Sequence, residues 1–100
     1  MAQVVIAGWM DYPARRDEVL TSMRTMTELT RREPGCLGYV FSADVENPDR
    51  IQVFERWATQ EALDAHLATQ HVSEFRASIA HITRSGRELH VFRVADVHSM

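Results

Sequence analysis

Two neighbouring segments in the middle of the chain constrain the fold more than any other feature. Residues 36–45, CLGYVFSADV, and residues 50–57, RIQVFERW, each alternate between two sets of side chains with the two-residue period of a β-strand. The residues between them, ENPD, are short and polar and favour a turn. The pattern therefore predicts two antiparallel strands joined as a hairpin.

The register of this hairpin determines which side chains share a face. A register with Tyr39 opposite Glu55 also places Leu37 opposite Trp57, and it turns Cys36 to the other face. A slip of one residue would move every side chain of a strand to the opposite face. We therefore predict that Tyr39, Glu55 and Trp57 project together from one side of the sheet.

The other elements follow from apolar periodicity and from residues that start or stop helices. They are a strand over residues 3–10, a helix over 13–32, helices over 60–68 and 72–82, and a strand over 87–97. Pro13 suits a first helical position, Gly35 suits the left-handed turn after a helix, and Thr59 can cap the next one. The order β-α-β-β-α-β, with its second helix split in two, predicts a single ferredoxin-like α+β domain over residues 1–100. We expect one antiparallel sheet with helices on one face.

Composition excludes several classes of protein. Eleven Lys and Arg against fourteen Asp and Glu give a formal charge of −3, which argues against non-specific nucleic-acid binding. Cys36 is the only cysteine, so an intramolecular disulfide and a thiolate zinc cluster are ruled out. The first apolar run is too short to cross a membrane and lacks the pattern of a signal peptide. We therefore expect a cytoplasmic protein that binds neither nucleic acid nor membrane.

Polar residues fall where the elements should bury apolar groups. Glu55 lies on the inward face of its strand, and His66 lies on the inward stripe of the helix over residues 60–68. A carboxylate beside an imidazole can fix its tautomer and make it a general base. Tyr39 and Trp57 would supply flat walls for an aromatic ligand. We therefore predict His66, Glu55 and Trp57 as catalytic residues, although each could instead be a hydrogen-bonded or packed core residue.

Further candidates lie on the helices. We predict that Leu63, His71 and Arg76 join Tyr39 in binding a substrate. For His71 the alternative is a backbone or dimer contact, and for Arg76 it is solvation. The chain has no dinucleotide-binding glycine motif, no phosphate-binding loop and no recognisable metal-ligand triad. We therefore predict no metal and no other cofactor.

The stretch EPGCLGYVFSADVENPDRIQVFERWATQEALDAHLATQH resembles the antibiotic biosynthesis monooxygenase family of dimeric α+β barrels. The shared features are the EPGC turn, the hairpin with its NPD loop, the ERW that ends a strand, and the AHL…H pattern. The resemblance implies a homodimer whose sheets pack face to face. It also implies that O2 oxidises a phenolic, anthrone or quinol substrate in a pocket between sheet and helices, without metal, flavin or haem.

Some family features are absent. Haem-degrading relatives resemble one another in an Asn on the first strand, a Trp in the helix after the hairpin, and a haem-ligating His. Here His66 replaces that Trp and Arg76 lies near the position of the ligand, so haem oxygenation is not expected. Leu63 stands where anthrone-oxidising members have a tyrosine. An isomerase or a non-catalytic small-molecule binding protein on the same fold is the alternative, and O2 consumption distinguishes them.

Overall fold

The computed structural model describes residues 2–100, which form one sheet of four strands and three helices. The strands are β1 (Val4–Asp11), β2 (Cys36–Ala43), β3 (Arg50–Trp57) and β4 (Gly86–Arg93), and the helices are α1 (Arg16–Thr30), α2 (Gln60–Leu67) and α3 (Gln70–Ser78). This order confirms the ferredoxin-like α+β fold and the split second helix. In the part of the chain described, no helix is both long and apolar enough to cross a membrane.

The sheet has the strand order β2-β3-β1-β4, and every neighbouring pair is antiparallel. β1 and β3 occupy the centre, so the hydrogen-bonding edges of both are paired, whereas β2 and β4 form the outer edges. The sheet of one chain is open rather than closed into a barrel. A barrel would need a second chain, and the dimeric barrel stays a prediction.

The hairpin of β2 and β3 has the predicted register for most of its length. Tyr39 pairs with Glu55, but a register shift between Cys36 and Gly38 pairs Cys36, rather than Leu37, with Trp57. The predicted Leu37–Trp57 pair and the outward placement of Cys36 are therefore wrong. The irregularity at the start of β2 inserts an extra residue, which leaves Leu37 48% exposed and packs Cys36 against the core.

The first helix begins later than predicted. Pro13 belongs to a turn, and α1 begins at Arg16. Ala14 between them has a φ of 60°, which helical backbone does not allow, and its N–H donates to Asp49 Oδ1 at 3.0 Å. This contact with the hairpin loop holds the turn, so Pro13 does not occupy the first helical position.

Helix ends elsewhere follow the predicted chemistry more closely. Gly35 has a φ of 83°, as predicted for the left-handed turn after α1, although the helix itself ends at Thr30. Thr59 Oγ1 accepts a hydrogen bond from Ala62 N–H and caps α2. Thr69 caps α3 in the same way, accepting from Val72 N–H, so α3 starts two residues before its predicted position.

The helices cover one face of the sheet and enclose the core. The buried apolar side chains are Val4, Met10, Tyr12, Val19, Met23, Met26, Tyr39, Ile51, Val53, Trp57, Leu63, Val72 and Ile82. The opposite face has no covering element in residues 2–100, and Val40, Phe54 and Phe92 on it are 44%, 42% and 51% exposed. The site described below lies on the covered face.

Candidate functional site

A cavity of about 460 Å³ lies between the sheet and the helices. Its walls are mostly apolar side chains of the sheet, the helices and the turn after β1, including Met23, Phe75 and Tyr12. Two polar groups, Glu55 and His66, interrupt the apolar wall. A concave apolar space with a few converging polar groups is typical of a small-molecule site.

Three arginines also contribute to the cavity wall. Arg76 on α3, Arg84 in the loop before β4, and Arg87 on β4 are all exposed to solvent while lining the cavity. None of the three forms an ion pair with an acidic side chain of residues 2–100. The solvent side of the cavity therefore carries positive charge in a chain whose net charge is −3.

His66 and His71 share one carboxylate oxygen. Glu33 Oε2 lies 2.9 Å from His66 Nδ1 and 2.7 Å from His71 Nε2. We call these three side chains the Glu33 cluster. Glu33 is 13% exposed, His66 is 3% exposed and His71 is 16% exposed. Because an ionised carboxylate only accepts hydrogen bonds, both nitrogens donate to it, and in any neutral form of the His66 ring the unprotonated nitrogen is Nε2.

Local backbone structure brings the cluster together. Glu33 lies in the turn after α1, where its N–H donates to Thr30 O and its carbonyl accepts from Cys36 N–H. His66 is in the last turn of α2, and its carbonyl accepts from both the N–H and the Oγ1–H of Thr69, the cap of α3. This tight joint between two helices aims His66 and His71 at the same carboxylate.

Aromatic neighbours fix the plane of the His66 ring. The ring centroid lies 4.8 Å from that of Trp57, with an angle of 32° between the planes, and 5.1 Å from that of Tyr39 in an edge-on contact. Trp57 in turn donates its Nε1–H to Glu55 Oε1 at 3.0 Å. The ring is thus held by Glu33 at one edge and by an indole on one face.

The surroundings perturb the two acids on the hairpin. Burial raises the pKa of Glu55, and the negative charge of Glu33 adds to the effect, while the Trp57 hydrogen bond and the nearby His66 oppose it. Burial and the charge of Glu55 raise the pKa of Tyr39 as well, so its phenol stays protonated. The cavity therefore has one weakened acid and one firmly neutral phenol beside the imidazole.

The predicted site residues separate into two groups. Tyr39, Glu55, His66 and Arg76 line the cavity. Trp57 and Leu63 are 0% and 2% exposed, belong to the core and do not line it. The predicted pocket-wall role of Trp57 therefore becomes one of support behind His66 and Glu55.

His71 lies outside the cavity, because its ring turns towards Glu33. It contributes to a separate crevice between α1 and α3. Of the predicted site residues, His71 therefore contacts Glu33 and the crevice at the surface, and it does not contact the cavity.

Sequence reasoning missed Glu33, and it expected Glu55 to be the carboxylate that orients His66. The sequence predicts only a turn after a helix for the EPG motif, whereas Glu33 of this motif forms the centre of the cluster. His66 and His71 are five residues apart, a spacing that a continuous helix would place on different faces. The break between α2 and α3 removes that restriction, and no local sequence pattern reveals the outcome. Tyr12, also missed, lines the cavity from the turn after β1.

The arrangement has two chemical capacities. A neutral His66 with its Nδ1 held by a carboxylate can accept a proton at Nε2 from a molecule in the cavity. The ligand atoms of Glu33, His66 and His71 also lie within 4.8 Å of one another, so together they could hold a metal ion.

Solved structures of other proteins share the whole fold. A protein from Deinococcus radiodurans, named a "putative antibiotic biosynthesis monooxygenase", superposes with a TM-score of 0.84 at 21% identity, covering 97% of both chains. Rv0793 from Mycobacterium tuberculosis superposes with a TM-score of 0.81 at 26% identity, covering 99% of this chain and 100% of that one. The open four-stranded sheet with helices on one face is therefore a recurrent fold.

Sequence comparison gives the family. The protein sll1783 from Synechocystis is 28% identical over 98 residues, which span 97% of this chain and 67% of that protein. Rv0793, named a "putative monooxygenase", is 30% identical over 78 residues, which span 78% of this chain and 76% of its own. The model of the antibiotic biosynthesis monooxygenase family matches residues 3–78. The chain belongs to the antibiotic biosynthesis monooxygenase family.

Proposed function

We propose that the chain is a monooxygenase that uses O2 to oxidise a phenolic, anthrone or quinol-type aromatic, with His66 as the general base and no cofactor. The observation that carries the proposal is the state of His66. It is nearly fully buried, it lines the cavity, and its Nδ1 is occupied by Glu33 while Nε2 has no hydrogen-bond partner among residues 2–100. A base with one free ring nitrogen, on a side chain that lines an apolar cavity, can deprotonate a bound hydroxyl or an acidic carbon.

The cavity fits an aromatic substrate that becomes an anion. Apolar side chains such as Met23 and Phe75 make most of the wall, and Tyr39 adds an aromatic ring. The three arginines at the solvent side favour a negatively charged or hydroxylated ring system. Apolar walls with positive charge at one end match a phenolate better than a neutral alkane or a cation.

The proposed reaction needs no external reductant. Removal of a proton by His66 makes the substrate electron-rich, so it can pass one electron to O2 and then combine with the reduced oxygen as a peroxide. For an anthrone, the CH2 carbon becomes C=O. One oxygen atom is kept, and the other leaves as water with the two hydrogens of that carbon. The substrate supplies all the electrons, and the protein supplies a dry cavity, a base and donors for the anion.

We also propose that the protein is a homodimer joined through its uncovered sheet faces. Val40, Phe54 and Phe92 form exposed apolar surface on that face, and Trp9 lies beside them with the Arg50 guanidinium 3.8 Å above its ring. A second copy packed on this face would remove the apolar surface from water. Light scattering should give twice the chain mass, and Phe54→Glu should return it to the mass of one chain.

The test of the oxidation is O2 uptake by tag-free, chelator-treated protein with anthrones and naphthoquinols, corrected for oxidation without protein. We expect uptake in step with substrate loss, and a fall of about 10²- to 10⁴-fold in His66→Gln, the range for loss of a general base. His81→Gln, at an exposed histidine after α3 that does not line the cavity, is the matched control and should keep full activity.

Because His66 is buried, its replacement could also disturb folding. Arg76→Gln and Arg84→Gln, both on the exposed rim, should instead raise KM while leaving kcat within a few-fold. Substrate loss without O2 uptake would overturn the oxygenase and indicate the alternative, an isomerase using the same base. Binding of the aromatic panel without turnover would indicate a binding protein.

A further inference from the structure

The Glu33 cluster contains a carboxylate but no side chain with a permanent positive charge. The chain contains eleven basic residues, all arginines, and none lies within ion-pair distance of Glu33 in the part of the chain that the structure describes. The carboxylate is 13% exposed, and its charge partners are two imidazoles. A largely buried carboxylate without a permanently charged partner can bind a cation from solvent.

The donor set matches a particular class of cation. Two imidazole nitrogens and one carboxylate oxygen suit first-row divalent ions such as Zn2+, whereas hard cations such as Mg2+ and Ca2+ prefer oxygen ligands throughout. With three protein ligands, a tetrahedral ion keeps one position for water or another small ligand.

The distances require only a small adjustment. Ligands bound at about 2.1 Å to a tetrahedral ion lie about 3.4 Å apart. Glu33 Oε2 now lies 2.9 Å from His66 Nδ1 and 2.7 Å from His71 Nε2. Each of these two pairs must therefore separate by less than about 1 Å, and the two histidine nitrogens, which lie within 4.8 Å of each other, must close by at most about 1.4 Å. His71 also borders the crevice between α1 and α3, which gives an ion a route from solvent.

We propose that Glu33, His66 and His71 form a binding site for one Zn2+-like divalent ion per chain. The proposal departs from the sequence-based prediction of no metal, because the three ligands become neighbours only through the break between α2 and α3. It does not depend on the oxygenase activity, since it rests on the cluster alone.

Occupancy would change His66, a consequence that rests on the proposed function. An imidazole bound to metal through Nδ1 carries its remaining proton on Nε2. Nε2, the nitrogen proposed as the base, would then be a donor and could not accept a proton from a substrate. The ion would therefore act as an inhibitor of the proposed base rather than as its cofactor.

The test is calorimetric titration of tag-free, chelator-treated protein with Zn2+, with Co2+ absorption spectra as a second readout. We expect one ion per chain, a rise in Tm, and the visible bands of Co2+ bound by nitrogen and oxygen. Glu33→Gln and His71→Gln should each lower the affinity at least 10-fold. The partly exposed His71 makes its variant the safer one for folding, which circular dichroism checks.

The matched control is His81→Gln. His81 Nε2 lies 3.4 Å from Glu18 Oε2 on the surface, so it reproduces one histidine–carboxylate pair without the second histidine. Binding that persists in this control and is lost in His71→Gln supports the site. Binding that persists in His71→Gln, or no binding to the wild-type protein, overturns it. The oxygen-uptake assay is independent of the metal titration, so a failure of the metal site and a failure of the oxygenase can be distinguished.

Discussion

Replacing Glu33 with alanine removes the shared acceptor from the buried His66 and the partly exposed His71. A hydrogen bond to a charged group contributes about 1.5–3 kcal/mol. The two bonds end on one oxygen and are not additive, so we expect a loss of about 2–4 kcal/mol in the free energy of unfolding. For a chain of 100 residues, this corresponds to a fall in Tm of roughly 10–25 °C.

Urea unfolding of Glu33→Ala, His71→Ala and the double variant would measure the loss and the coupling between the two residues. We expect a coupling energy of about 1 kcal/mol or more, because removing either partner leaves the other without its bond. Asp96→Ala is the control, since the Asp96 side chain is 84% exposed and the loss of its contact with His98 should change stability by less than about 0.5 kcal/mol. A Glu33→Ala loss no larger than this control, or zero coupling with His71, would refute the shared-carboxylate account.

Three further changes test the hairpin and its supports. Burial raises the pKa of Glu55 in the folded state. Ionisation of Glu55 therefore lowers the stability of the fold once the pH rises above the pKa that Glu55 has in the unfolded chain. Glu55→Gln should be more stable than wild type at pH 7 in urea unfolding, and the difference should shrink towards pH 3. A difference that grows on acidification would contradict this sign. Trp57→Phe removes the donor to Glu55 from a fully buried position and should cost about 2–3 kcal/mol in the same assay, with a smaller loss in a Glu55→Met background, which lacks the acceptor oxygens. Equal losses in both backgrounds would exclude a role for the hydrogen bond. Gly35→Ala should cost about 1–3 kcal/mol, because φ is 83° and the new Cβ would lie 2.6 Å from Ala62 Cβ; an unchanged Tm would show that the turn relaxes freely.

Local patterns predicted the elements well because most of them depend on local chemistry. The alternation of residues 50–57 gave the bounds of β3, and the Thr59 cap gave the start of α2. The errors arose where a distant contact overrides local preference. Asp49 in the hairpin loop holds Ala14 out of the helix, and an irregularity in β2 turns Leu37 outwards.

The candidate site was predictable only in part for a related reason. Periodicity places Tyr39, Glu55 and His66 on inward faces, and these residues do line the cavity. Glu33 lies 33 residues before His66, so no spacing rule connects them. Its EPG motif by itself predicts only the end of a helix. The meeting of Glu33 with His71 depends on the relative placement of three helices, which tertiary packing sets.

The most direct test of the account is the tautomer of His66, measured in long-range 1H–15N correlation spectra of metal-free protein above pH 7.5. His66→Gln identifies its signals by their disappearance. The account predicts that Nδ1 carries the proton, held by Glu33, and that Nε2 is unprotonated and available as the base. A proton on Nε2 instead would mean that Glu33 does not orient the ring, and it would contradict both the cluster and the proposed role of His66.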